Sequence, residues 1–533
     1  MAADLSFGSI PPFYREVYDI VCPNQEQVDR ELFVQLLVQS SLPKQTVMQI
    51  WDLVDTNQGF MTRNGLYKAL ALTALAQQGK VLSDKLLETY SGQELPKPSL
   101  GDLSDLKASS VRLRRQRTPN VLCLDYKELC EIDTVKVELV PEKKGIILKH
   151  VEYEITSQRN KATVLRRYND FVALHELLSA RFPYRVIPRL PPKKVGASRE
   201  FIEQRKKSLR RYLNIIARHP QMFDDKLLKF FLTFTGNDVQ QKIREQFRNI
   251  PDEFMTSDMS SRAKDLVPMD TQMQLANSKE HIKVVFECVS KLKDVAERMV
   301  CRSATFATDM LQMGRQFGIL GNDITPLSSW TTGTSKTWGR LQKGFKHLSV
   351  EFASLADKSM QAAVDEEEGV VEKLSFFQDL ITAYKDLCDR HEKGVLHDHQ
   401  KAMQKMGQYK KKRMSATVQN SETSAVEQLE QKILEQEDLL ANMENRNYFS
   451  LHCLQMETQL VHTHLDIFYE FVACLSTVES KTNADMSDIW KSMEPTIASL
   501  SPTEPLSSPS ARLSPLGSPS NNNNNNKYLT NST

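Results

Sequence analysis

The sequence predicts a multidomain chain: a helical amino-terminal region, an α+β domain, an elongated three-helix array and a disordered tail. Three observations carry this. Strand-like runs give way to helical ones between about residues 125 and 236. Apolar residues then recur at alternating spacings of three and four through much of residues 261–492. Residues 493–533 are rich in Ser, Pro and Asn.

Length and composition set the bounds. The chain of 533 residues is too long for one ordinary core and fits two to four domains. Hydrophobic residues make up 40% and charged residues 26%, so most of the chain can fold. A net charge of +2 lacks the global excess of a nucleic-acid binder, and anionic partners must be met by local patches. Eight cysteines show no CxxC pair and no zinc-ligand spacing, which predicts reduced thiols. No apolar run is long enough to span a bilayer, and the amino terminus lacks a signal pattern. The expectation is a cytoplasmic protein whose membrane contact is peripheral.

Residues 11–90 read as short helices around a loop, and residues 91–124 as a polar linker containing "ELPKPSLGDLSDLKASS" and the basic "RLRRQR". In 125–236, "TVKVELV", "GIILKHVEYEIT" and "ATVLRRY" predict strands, and helices follow. Within "VLRRYNDFVALHEL", Asn169 or Asp170 is the expected N-cap of the helix carrying Phe171, Leu174, Leu177 and Leu178. In 237–260, Val239, Ile243, Phe247 and Ile250 form an apolar side that fits either a membrane surface or the preceding domain.

Residues 261–492 hold three heptad-patterned helices. The first seam runs Ile282, Val285, Val289, Leu292, Ala296, Met299, Ser303, Phe306, Met310, Met313, Phe317 and Leu320, and Ser303 alone breaks it. The second starts at Leu341, Phe345, Leu348, Phe352 and Leu355, blurs at "AAVDEEEG", and resumes at Leu380, Tyr384 and Leu387. If continuous, Thr337 to Arg413 would extend on the order of 110 Å, with Gly344, Gly369, Gly394 and Gly407 as bending points. The third has Leu451, Leu454, Thr458, Val461, Leu465, Phe468, Val472 and Leu475. Such seams call for partners, so a dimer is expected.

Arg166, Arg167 and Tyr168 close a strand where a helix begins, which is either a solvated strand end or an anion site. Downstream, "IPRLPPKKVGASREFIEQRKKSLRRYLNII" supplies a stiff proline turn with Lys193 and Lys194, then a helix with Arg205 off its apolar face. The combination resembles the PX domain, whose pattern is R-R/K-Y-x-x-F, a proline loop with lysine, and an arginine early in the next helix. The resemblance implies that Arg167 grips the 3-phosphate of phosphatidylinositol 3-phosphate with its planar fork. It implies that Tyr168 packs on the inositol, Lys193 meets the 1-phosphate with Lys194 as a substitute, and Arg205 holds the ring hydroxyls. "LRRYLNII" at Leu209–Ile216 repeats the letters inside a helix and is read as a decoy. "KKVGASRE" offers only Val195 for insertion, so charge and avidity are expected to hold the protein on a membrane.

A PX domain followed by three such helices, with "DLCDRHEKGVLHDHQKAM" in the second, resembles the PX-BAR sorting nexins. That implies an antiparallel BAR homodimer that senses or generates curvature, on the cytosolic face of early endosomes, in tubule-based and retrograde endosome-to-Golgi transport with cargo or coat partners. Lys410, Lys411, Lys412 and Arg413 close the second helix where a BAR arm has its tip, and Arg340, Lys343 and Lys346 lie near its start. Each cluster is either a lipid contact or a solvated face.

"QIWDLVDTNQGFMTRNGLYKAL" resembles the second EF-hand of an EH domain. Asp55, Asn57 and Gly59 follow the pattern, but the loop is one residue short and Gly65 stands where the bidentate glutamate belongs, so no calcium site is expected. Trp51 matches the tryptophan of the EH peptide pocket and is equally read as core. No P-loop, G-x-S-x-G or H-E-x-x-H is present. His462 with His464, and His397 with His399, are two apart and read as surface residues rather than metal ligands. The chain is expected to be no enzyme and to need no cofactor. A coiled-coil scaffold whose PX-like domain binds proteins is the alternative.

Overall fold

The computed structural model describes residues 9–22, 28–54, 61–83, 87, 89–90, 93–140, 151–194, 196–324, 337–418 and 423–501. Contacts divide the chain into two units. One combines Met1–Lys291 with Lys373–Tyr469, the other Leu292–Glu372 with Glu470–Thr533.

The first unit begins with α1 (Pro12–Val21), α2 (Arg30–Gln39), α3 (Lys44–Val54), α4 (Arg63–Gln77) and α5 (Ser104–Arg117). Asp29 caps α2 by accepting from the amides of Glu31 and Leu32. Thr62 caps α4 by accepting from the Gly65 amide at 3.2 Å, so Gly65 belongs to the first helical turn. Asp55, Asn57 and Gly59 lie outside the described residues. Leu32, Leu36, Ile50, Leu66 and Leu70 form a core that also takes in Leu95, Leu100 and Leu106. The Ser110 hydroxyl donates to the Ile20 carbonyl at 2.6 Å. Much of the stretch read as a linker is therefore part of this helical core. Its regularly placed leucines outweigh its prolines and charges.

Next come α6 (Tyr126–Ile132), with an Asp125–Glu128 capping box, and strands β1 (Val135–Leu139), β2 (Glu152–Ser157) and β3 (Ala162–Arg167). They form an antiparallel sheet in the order β1-β2-β3, with Val135 opposite Ser157 and Glu152 opposite Arg167. The expected "GIILKH" portion of the second strand lies outside the described residues. Helices α7 (Tyr168–Arg181), α8 (Arg199–Ala217) and α9 (Lys226–Thr233) cover the sheet through Phe171, Leu174, Leu209, Leu213 and Phe231. Helix α10 (Val239–Phe247) buries Val239 and Ile243 against this domain, and its Phe247 ring lies 5.6 Å from Phe230. Of the two surfaces its apolar side fits, the structure seats it on the domain.

The short α11 (Glu253–Thr256) and α12 (Ala263–Leu266) precede three long helical stretches. The first is α13 (Thr271–Gly321). The second runs α14 (Thr337–Glu366), a π turn (Glu367–Val371), α15 (Glu372–Arg390), a π turn (His391–Leu396) and α16 (His397–Val418). The third runs α17 (Thr423–Thr463), a 3₁₀ turn (His464–Asp466) and α18 (Ile467–Ser492), followed by α19 (Glu494–Leu500). Two of the four glycines singled out as bending points, Gly369 and Gly394, fall inside π turns.

The third seam changes phase at the 3₁₀ turn. Ile467 and Phe471 are buried beyond it, whereas the expected Val472 is exposed. Three residues per turn advance the chain faster than 3.6, which moves a different face inward. His464, read as a surface residue, is buried and stacks on Phe376, and burial lowers its pKa to about 4.

In the second unit, Met310, Leu348, Phe352, Leu355 and Met493 form the core. Ser303, the break in the first seam, has a partner there. Its hydroxyl lies 3.0 and 3.2 Å from the two oxygens of buried Glu366, while Ser359 donates to the Ser303 carbonyl at 2.7 Å. Burial pushes the Glu366 carboxyl up, and neighbouring Glu479 adds to the shift. A carboxyl whose pKa is higher folded than unfolded adds stability at low pH and loses it as pH rises through the folded value. Glu366→Gln is therefore expected to raise the melting temperature at pH 8, with the gain shrinking towards pH 4. Calorimetric scans at both pH values check the sign.

Candidate phosphoinositide site

The two arginines of "LRRY" part company because successive strand residues face opposite sides. Arg166 points inward and is 1% exposed. Its Nε and Nη2 donate to the Phe231 carbonyl at 3.0 and 2.6 Å, Nη2 also donates to Phe234 O at 2.7 Å, and Nη1 donates to Leu165 O at 2.7 Å. Burial lowers its pKa to about 10, so it stays charged at neutral pH. It ties the end of β3 to the last turn of α9 and satisfies carbonyls that the helix leaves open.

Arg167 turns outward. It is itself the N-cap of α7, and its amide donates to Asp170 Oδ2 at 2.8 Å. The expectation of a cap at Asn169 or Asp170 is corrected by two or three residues, because Asp170 reaches back from the third helical position. Burial raises the Asp170 pKa despite the neighbouring arginines. The Arg167 guanidinium is 3.6 Å from Asp170 and partly exposed.

Tyr168, the first residue of α7, donates its hydroxyl to the Pro191 carbonyl and so fastens the proline loop. Burial raises its pKa. The Arg205 guanidinium lies 4.9 Å from the Tyr168 ring and 4.8 Å from the Phe201 ring. Arg205 is only 8% exposed, and its Nε and Nη2 make no hydrogen bond of standard geometry among the described residues, although the guanidinium is close enough to the Tyr153 hydroxyl to offset part of the burial that raises that group's pKa. Buried guanidinium donors held this way are costly unless a ligand takes them. Lys193 and Lys194 are exposed on the loop, with Lys194 Nζ 5.4 Å above the Phe201 ring. Thus Tyr168 and Arg205 are in contact, Arg167 precedes Tyr168 in the chain, and Lys193 rides on the loop that Tyr168 holds. Val195 lies outside the described residues.

The decoy motif has a different task. In α8, Tyr212 is buried and Arg211 reaches Asp379 of α15 at 2.6 Å. Other ties join the same domain to the long helices of its unit. Arg189 pairs with Asp386 at 2.5 and 2.6 Å, and Arg390 donates to the Arg185 carbonyl at 2.8 Å. At the centre, buried Arg185 meets Glu253 at 2.6 Å and Glu457 at 3.1 Å, and His219 lies 3.0 Å from Glu457. Sequence reading missed this cluster, since its members are 272 residues apart at the widest and no local pattern marks them.

Of the other residues singled out, Lys410 pairs with Glu437 at 3.1 Å, and Arg413 is 3.9 Å from Glu430. Lys411 and Lys412 are exposed. Trp51 is half-buried, 5.6 Å from the Phe33 ring and 5.6 Å beneath the Arg30 guanidinium.

Comparisons with known proteins show the families that the chain resembles. The PX domain family matches residues 154–235, and the family described as Sorting nexin 8/Mvp1 BAR domain matches residues 249–499. Sorting nexin-8 of Homo sapiens is 48% identical over 405 residues, covering 76% of this chain and 86% of that protein. Sorting nexin-8 of Bos taurus is 49% identical over 383 residues, covering 72% and 83%. Among solved structures, the cryo-EM structure of the SNX-BAR Mvp1 tetramer matches with a TM-score of 0.53 and 18% identity, over 68% of this chain and 99% of that one. Among the described residues no helix is long and apolar enough to cross a membrane. The chain belongs to the PX-BAR sorting nexins, in the family that holds sorting nexin-8 and Mvp1.

Proposed function

We propose that this protein binds phosphatidylinositol 3-phosphate on the cytosolic face of early endosomes and supports tubule-based cargo sorting, with retrograde transport towards the Golgi as its direction. The observation that carries the lipid reading is Arg205, buried beneath Tyr168 with two donors left over. Inositol hydroxyls are acceptors of the right kind for them. Arg167 grips the 3-phosphate from outside the fold, and Lys193 meets the 1-phosphate from the loop. The membrane is held besides by charge, to which Lys411 and Lys412 contribute. No step requires catalysis or a cofactor.

A homodimer that senses or shapes curvature is supported by the first seam. Ile282, Val289, Ala296 and Met310, spaced by sevens, are buried within one chain, whereas Leu292, Met313 and Leu320 are 38–42% exposed. That row is what a second copy would cover.

Vesicle flotation tests the lipid reading. Arg167→Ala is expected to lower affinity for vesicles carrying phosphatidylinositol 3-phosphate by about 10- to 100-fold, the loss expected for one charge-assisted pair, with the melting temperature unchanged. Equal binding by both proteins would sink the reading and favour a protein-binding PX domain.

A further inference from the structure

Helix α19 folds back along α14. Ser492, just before it, donates to Glu351 at 3.1 Å. Met493 enters the core with Leu348 and Phe352. At the far end Leu500 sits on Gly344, so closely that a Cβ there would lie 2.3 Å from Leu500 Cδ2. The glycine is thus a seat rather than a bend. These contacts fix the direction: α19 runs antiparallel to α14, from the level of Glu351 to that of Gly344. The next residue after the Leu500–Gly344 contact is Ser501.

Arg340 and Gly344 are four apart and share a helix face. The Arg340 Nε is buried without a hydrogen-bond partner among the described residues. Lys343 and Lys346 are exposed beside it. Ser501 caps α19 in an extended conformation, with φ −66° and ψ 137°, as expected of a residue that precedes proline. In sequence it is the first of four Ser-Pro pairs, with Ser508, Ser514 and Ser518 following.

We infer that Ser501 is a phosphorylation site for a proline-directed kinase and that its phosphate clamps α19 onto α14 by pairing with Arg340 and Lys343. In the transfer, Ser501 Oγ bonds to the γ-phosphorus of ATP, the bond to the bridging oxygen breaks, ADP leaves, and the hydroxyl proton passes to the kinase. The product carries close to two negative charges and three strong acceptors. Arg340 supplies an orphan donor and a fork that suits phosphate. The cationic side chains of α14 on either side of Gly344 are Arg340, Lys343 and Lys346, with Glu351 engaged by Ser492 and Glu494 at the opposite end of α19. The C-terminal dipole of α19 opposes the phosphate. A helix of seven residues sets only a weak field against two full cations.

The test uses the full chain with Ser508, Ser514 and Ser518 changed to Ala. A purified proline-directed kinase is expected to fill Ser501, read by mass spectrometry. Hydrogen exchange of amides 496–500 is then expected to slow about tenfold. The slowing should vanish in Arg340→Gln/Lys343→Gln, whose unphosphorylated exchange stays at the parent rate. No phosphate at Ser501 overturns the proposal. So does phosphorylation that leaves exchange unchanged or faster, or slowing that survives the double variant.

Discussion

Arg166→Ala should unfold the PX domain far more readily than any change at the neighbouring Arg167. The substitution leaves the carbonyls of Leu165, Phe231 and Phe234 without the cation that now binds them, and opens a void beneath β3. Losing a fully buried charged donor costs about 3–5 kcal/mol, which for a unit of this size lowers the melting temperature by roughly 10 °C. Arg166→Lys keeps the charge but not the fork and should recover only part of the loss. Thermal unfolding followed by circular dichroism, with Arg167→Ala as the companion, separates the two arginines. If Arg166→Ala melts with the parent while losing lipid, the assignment of Arg166 to the scaffold is wrong.

The second large effect is expected at Glu457→Ala. Arg185, His219 and the Val186 amide all converge on this carboxylate. Removing it strands a buried guanidinium, again at about 3–5 kcal/mol. Burial alone would raise the Glu457 pKa, but His219 and Arg185 outweigh it and hold the group below the usual carboxylate value. A depressed carboxylate contributes stability that is present above its unfolded pKa and is lost as pH falls through the folded one. The gap between parent and variant should therefore stay constant from pH 8 to about pH 5 and close below about pH 4. Urea titrations at four pH values follow it. A gap that widened on acidification would contradict the ion-pair account.

The sequence was most readable where one residue type had one task. The proline loop, the aromatic after two arginines and the heptad seams have local signatures, and the helices and most of the sheet follow from them. Arg166 and Arg167 look alike in the sequence. Only the alternation of β3 shows that one holds the fold and the other faces solvent. Ser303 looked like a flaw in a seam because Glu366, its partner, is 63 residues away. Buried Glu457 and Arg185 were invisible for the same reason: charges are read as surface residues unless their partners are known. The leucines at 95, 100 and 106 were passed over because prolines and lysines around them suggested a linker.

The π turn at Glu367–Val371 explains why the heptad pattern blurs where it does, and it leaves the helix with a reading frame. One residue turns an α-helix by about 100°. A π turn takes up an extra residue inside a helix that otherwise continues, so the seam before it and the seam after it are written in different frames of the same helix. Gly369 lies in that turn, where Cys474 Sγ would come within 2.2 Å of an added Cβ. Loss of one residue there would leave ordinary helix behind and turn the helix that follows by about 100° about its own axis. The long helix is thus sensitive to a change in count at this turn, much as a coding sequence is.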